Sequence, residues 1–203
     1  VSAKYIFITF GSAFGYTENG IDKIVANCHK AAGDRFCKGL TDKKILVDSW
    51  STTLHEINRR NPSVQVVFTV SPVRHIKDGL VENNRSKSRL LELVSELEKQ
   101  DAVHYFPAYE IVIDELRDYR FYKDDGVHPG SQATKYVWER LRSVLLDQET
   151  QLLCDELVAL HAMENHRSLY AESIESIQFS QKSKEKIRFF LENHPEIKWY
   201  EKP

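Results

Sequence analysis

Two short runs of the chain are apolar almost without interruption, KYIFITF (4–10) and VQVVFTV (64–70), and AVHYFPA (102–108) repeats the pattern more weakly. β-Branched and aromatic residues dominate them. Continuous apolar runs of this length fit strands buried on both faces of a parallel sheet. Between and after them the apolar residues fall at helical spacing. Over 41–60, Ile45, Leu46, Trp50, Leu54 and Ile57 share one face before Asn61-Pro62 ends the helix. Over 86–99, Leu90, Leu93, Val94 and Leu97 repeat the stripe, and Tyr136, Val137, Trp138 and Leu141 mark a third helix from Pro129 to about Leu146.

Strand and helix therefore alternate, which predicts an α/β fold with right-handed crossovers and a three-layer parallel sheet. After Leu146 the pattern changes to helix alone. The expected division is an α/β domain over 1–146 and a helical C-terminal extension over 147–203 packed on it. The first run raises a physical question. An edge strand normally carries charge or proline to block further pairing, and YIFITF carries neither. It reads as an interior strand whose neighbour is missing, so the expected sheet lacks one or more N-terminal strands.

Composition narrows the classes. Net charge is −2 over 203 residues with both signs interspersed, so no basic footprint for nucleic acid is present. No apolar run reaches the roughly 18 residues that a membrane span requires, and the start does not read as a signal peptide. The three cysteines, Cys28, Cys37 and Cys154, form no CxxC pair and argue against a disulfide framework. The expected location is cytoplasmic, with no nucleic-acid or membrane partner, no cofactor and no metal.

Three stretches carry candidate chemistry. In DYRFYKDDGVHPG (118–130), Asp125 and His128 stand three apart before a helix for which Pro129 suits the first position. Asp125 there can fix the imidazole tautomer and leave the second ring nitrogen as a general base. The same spacing also fits a helix cap with a solvated histidine. In TVSPVRHIKDGLVENNRSKSR (69–89), Ser71, Arg74 and His75 follow directly on a buried strand, where open α/β sheets bind ligands. A polar loop with Asn83, Asn84, Arg85 and Lys87 is expected after them, and a solvated loop accounts for it as well. In IVANCHK (24–30), Cys28 beside His29 lacks a second ligand pair at zinc spacing and reads as a structural thiol.

With these stretches in hand, the chain resembles the GSCFA family, a branch of the SGNH-type hydrolases. The matching blocks are ITFGSAFGY, IVANCHK, FTVSPVRHIKDGLVENNRSKSRL, YFPAYEIVIDELRDYRFYKDDGVHPG and YVWERL, in family order over residues 7 to about 141. The resemblance implies a three-layer, flavodoxin-like SGNH fold with a serine nucleophile after its first strand and Asp125 and His128 as triad partners. The family's name-giving block lies upstream of the block that matches GSAF (11–14), so the nucleophile is expected outside this chain and Ser12 beside the cleft. Gly11, Ser12, Ala13 and Phe14 stand where many SGNH enzymes carry G-x-N-D, so an oxyanion site lacks that asparagine and must be built differently.

The expected function is an ester hydrolase acting on an acyl or acetyl group of a small molecule or carbohydrate. His128 and Asp125 are its catalytic residues, and Gly11, Ser12, Ser71, Arg74 and His75 line the oxyanion and substrate side. A non-catalytic binding protein using the same cleft, or an acyltransferase on the same triad, are the rival expectations. The sequence leaves the oligomeric state open.

Overall fold

Parallel pairing organises the N-terminal part of the chain. A computed structural model describes residues 3–21, 24–25, 31–166, 168–170 and 172–199. Two compact units divide it, Val1–Leu141 and Arg142–Pro203. Strand β1 (Tyr5–Phe10) leads into an excursion of three short strands, β2 (Phe14–Glu18), β3 (Ile24–Val25) and β4 (Phe36–Leu40), followed by helix α1 (Lys43–Arg60). Then come β5 (Gln65–Val70), α2 (Leu80–Leu97), β6 (Val103–Tyr105), a turn of helix α3 (Ala108–Glu110) and α4 (Ser131–Leu145). The parallel sheet has the order β1-β5-β6, with register Tyr5↔Gln65 through Phe10↔Val70 and Val66↔Val103 through Phe68↔Tyr105.

One sheet face carries the core. Ile6, Ile8 and Phe10 on β1 align with Val66, Phe68 and Val70 on β5, and all pack with Leu46, Val47, Trp50, Leu54 and Ile57 of α1 and Leu90, Leu93, Val94 and Leu97 of α2. Phe10 and Phe68 stack at 5.1 Å, and Trp50 meets both edge-on at 4.9 and 5.5 Å. Fully buried side chains such as Phe68, Leu93 and Leu97 each contribute about 1.5–3 kcal/mol of hydrophobic stabilisation. Ile45, expected on the inner face of α1, is half exposed, and Val47 takes its place.

The strand expectations hold differently at the two ends. β5 is buried on both faces, as a continuous apolar run requires. β1 alternates instead. Tyr5 and Phe7 are exposed on the face away from α1 and α2, and β5 is its only partner among the described residues. The apolar run on β1 is thus an edge strand of the described sheet with a free side.

Three expectations are corrected. The fold is α/β, but not a parallel sheet alone: β3-β2-β4 form a second, antiparallel sheet, closed at its base by Thr41 N–H donating to Ala13 O at 3.0 Å. Gly15 in β2 allows the close pairing, since a Cβ there would stand 2.7 Å from Ile24 Cγ2. Helix α2 begins at Leu80 rather than 86, because Asn83, Ser86 and Lys87 lie on its buried side. Helix α4 begins at Ser131 rather than Pro129: Gly130 N–H donates to Phe121 O at 2.7 Å, and Pro129 bridges Tyr122 in a short antiparallel contact.

The second unit is described by itself. It holds the end of α4, α5 (Gln148–Glu164) and α6 (Ile174–Asn193). Asp147 caps α5 by accepting from Thr150 N–H, and Ser173 caps α6 by accepting from Ser176 N–H. Leu160 and Phe190 are its buried apolar residues. Arg142 closes it with a fork onto Asp155, at 2.7 and 2.9 Å. Among the described residues no helix is long and apolar enough to cross a membrane.

Candidate active site

The Asp125–His128 loop is built by its own backbone. Gly126 adopts φ +62°, a conformation glycine supplies at little cost, and its N–H donates to Lys123 O at 2.8 Å. Lys123 N–H in turn donates to His128 O at 2.8 Å. Inside this turn Asp125 Oδ1 accepts from Val127 N–H at 2.8 Å and His128 N–H at 2.9 Å. Its Oδ2 stands 2.7 Å from His128 Nδ1. Asp125 therefore orders its own loop and the imidazole, and does not cap α4.

This geometry sets the chemistry. The backbone N–H groups of His128 and Val127, followed by the imidazole, hold the Asp125 carboxyl down to about 2. An ionised carboxylate only accepts, so Nδ1 carries the proton. Nε2 then offers a lone pair, and it has no hydrogen-bond partner among the described residues. The side chains of His128 and Asp125 are 53% and 45% exposed.

Arg74 connects this loop to the end of β5. Its Nη1 donates to Gly126 O at 2.9 Å, its backbone N–H faces Val127 O at 3.4 Å, and its guanidinium lies over the Tyr122 ring at 4.3 Å. The guanidinium thus holds the Asp125–His128 loop.

Gly11, Ser12, Ser71 and His75 gather at the neighbouring strand ends, because β1 and β5 run parallel and finish on the same side of the sheet. Ser71 Oγ accepts from Val73 N–H at 3.2 Å, a turn of its own. The His75 imidazole lies beside Gly11, with Nε2 3.7 Å from where a Gly11 Cβ would stand. Burial, and then the charge of Lys87, push the His75 pKa below its ordinary 6.5. Ser12 Oγ accepts from Phe14 N–H at 3.1 Å and faces Ser86 Oγ at 3.3 Å. No hydrogen bond joins Ser12 to His128.

Sequence reasoning missed the residues that fix these ends. Asn83 Oδ1 accepts from His75 N–H at 2.8 Å, Ser86 Oγ accepts from Ala13 N–H at 2.8 Å, and Lys87 Nζ donates to Gly11 O at 2.6 Å and Ser71 O at 2.7 Å. All three are buried. The signal was present: 83, 86, 87, 90, 94 and 97 continue the apolar stripe of α2 at helical spacing, so these polar residues had to face inward. Cys28 and His29 lie outside the described residues. No group of three or more His, Cys, Asp or Glu side chains that could hold a metal ion occurs among the described residues.

Fold and site together define an α/β protein with an aspartate–histidine pair beside the C-terminal ends of a parallel sheet. The chain belongs to the GSCFA family, whose pattern matches residues 1–141. No match was found among curated proteins or solved structures.

Proposed function

We propose that the protein is an SGNH-like ester hydrolase acting on an acyl or acetyl group of a small molecule or carbohydrate. The observation that carries this reading is the 2.7 Å contact between Asp125 Oδ2 and His128 Nδ1, which leaves Nε2 as the base. A serine hydroxyl gives its proton to Nε2 as its oxygen attacks the acyl carbon. The imidazolium is stabilised by Asp125 and returns the proton to the departing alkoxide. Ser12 is not that serine in this reading, since its oxygen accepts from Phe14 N–H and faces Ser86. In this reading the nucleophile comes from outside these residues, and the unpaired edge of β1 supports a place for the segment that carries it.

The test is hydrolysis of p-nitrophenyl acetate by the intact protein that carries this sequence. His128→Ala is expected to lower kcat by roughly 10²–10⁴-fold. Unchanged turnover would remove the base from the mechanism. The engaged hydroxyls of Ser12 and Ser71 favour one alternative, a binding protein using the same cleft. Absence of turnover in the intact protein, with a ligand still held at the strand ends, identifies that case. Transfer to an added alcohol in place of water would identify an acyltransferase on the same residues.

A further inference from the structure

Lys87 is a buried cation in an unusual position. It is 1% exposed, lies on the inner face of α2 and has no ion pair among the described residues. Its Nζ donates to two carbonyl oxygens, Gly11 O at 2.6 Å and Ser71 O at 2.7 Å, at the ends of the two neighbouring parallel strands. An uncompensated buried ammonium is costly, so its retention needs a reason beyond tying two loops together.

The chemistry of the peptide group supplies one. Gly11 O belongs to the same peptide unit as the Ser12 N–H. A charged donor on the carbonyl draws electron density toward oxygen and strengthens the N–H of that unit as a donor. Ser12 N–H donates to no described residue, whereas the next two amides are taken up by Ser86 Oγ and Ser12 Oγ. Ser71 O gives no such outlet, because the following residue is Pro72, which has no N–H. The polarisation is therefore directed to one amide, beside His75 and at the end of β1.

We propose that Lys87 polarises the Gly11–Ser12 peptide and makes the Ser12 N–H the donor that binds a negatively charged oxygen at this end of the sheet. Lys87 is here a positioning residue, acting on the ligand through the peptide unit whose carbonyl it holds. The inference rests on the esterase reading only for the identity of that oxygen, the oxyanion of an acyl intermediate. Anion binding itself requires no turnover.

His75, from the loop after β5, is the titratable group facing Lys87, and Lys38 and Asp78 beside it are paired with each other. Burial pushes the Lys87 pKa down to about 8, whereas His75 titrates below its ordinary 6.5, so the two act in separate pH ranges.

The experiment is a sulfate titration at constant ionic strength, followed by carbon-detected resonances of the Gly11 carbonyl and the Ser12 amide nitrogen, which need no slowly exchanging proton at the upper end of the pH range. Sulfate stays a dianion throughout the range used, so any pH dependence belongs to the protein. Sulfate is expected to shift the Ser12 amide, with affinity falling about tenfold as Lys87 loses its proton and falling similarly in Lys87→Met at neutral pH. The wild-type pH series needs no variant, so a poorly folding Lys87→Met leaves the test intact. Two results overturn the proposal: no sulfate response at Ser12, or an affinity unchanged both across the Lys87 titration and in the variant. Sulfate binding together with p-nitrophenyl acetate turnover indifferent to His128→Ala would instead overturn the esterase reading and leave this inference standing.

Discussion

The guanidinium of Arg74 donates to the carbonyl oxygen of Gly126 across 2.9 Å, joining segments 52 residues apart in sequence. With the Tyr122 stack, this bond anchors the loop that presents Asp125 and His128 to the end of β5. Arg74→Ala removes both contacts at once. The expected cost is about 1–3 kcal/mol of stability. Faster hydrogen exchange at Val127 and His128 should accompany it, and Arg74→Lys should restore little, because a point charge replaces neither stack nor planar donor. Unchanged exchange at those amides would show that the loop holds itself.

Asp125 carries the second prediction. Its folded-state pKa of about 2 lies below the ordinary 3.8, so its contribution to stability is complete above 3.8 and lost as pH falls through about 2. Protection of the Val127 and His128 amides is expected to persist from neutral pH to about 4 and to collapse toward 2. Asp125→Asn keeps one acceptor for those amides but presents an N–H₂ group or a weaker acceptor to Nδ1. Esterase turnover by the intact protein should then fall roughly 10³–10⁴-fold with the fold retained. A loss below tenfold would mean that the aspartate only shapes the turn.

How much of this was legible in the sequence depended on distance along the chain. The Asp125–His128 pair lies within one turn, so its spacing alone pointed to it. The core stripe Leu90, Leu93, Val94, Leu97 was equally plain from its period. The first turns of α2 were legible only by extending that stripe back through Asn83, Ser86 and Lys87, polar residues that taken one at a time read as solvent-facing. The β2–β4 excursion escaped notice because Gly15, Lys38 and Gly39 break any apolar alternation. The preference of proline for a helix start was overridden at Pro129 by the Gly130–Phe121 bond, a contact across the loop that no local rule contains.

Ser86 and Ser12 separate by what each leaves behind. Ser86→Ala strips the partner from the buried Ala13 N–H, at a cost of about 1–3 kcal/mol. Ser12→Ala removes an acceptor from Phe14 N–H, which is only partly buried, and should cost about 0.5–1.5 kcal/mol. Denaturant midpoints of the two variants are therefore expected in that order, with an activated-ester probe labelling Ser12 in neither the wild type nor Ser86→Ala. Covalent labelling of Ser12 would make it the nucleophile and reverse its assignment as a turn residue.

Lys87 gives the final prediction, and stability moves with pH in the same direction as for Asp125, although the fold favours the charged form of the aspartate and penalises that of the lysine. Burial lowers its pKa from the ordinary 10.5 to about 8, so between those values the unfolded chain binds a proton that the folded chain does not. Stability then rises with pH across that window, since deprotonation relieves the penalty of a buried charge. Lys87→Met isolates the effect. It removes the titrating group, and although it also strips the donor from Gly11 O and Ser71 O, that loss shifts the baseline equally at every pH. The stability difference between wild type and variant, from urea midpoints at about pH 7 and about pH 10, should therefore move in favour of the wild type at the higher pH. A difference that stays constant would mean that Lys87 titrates like a solvated lysine.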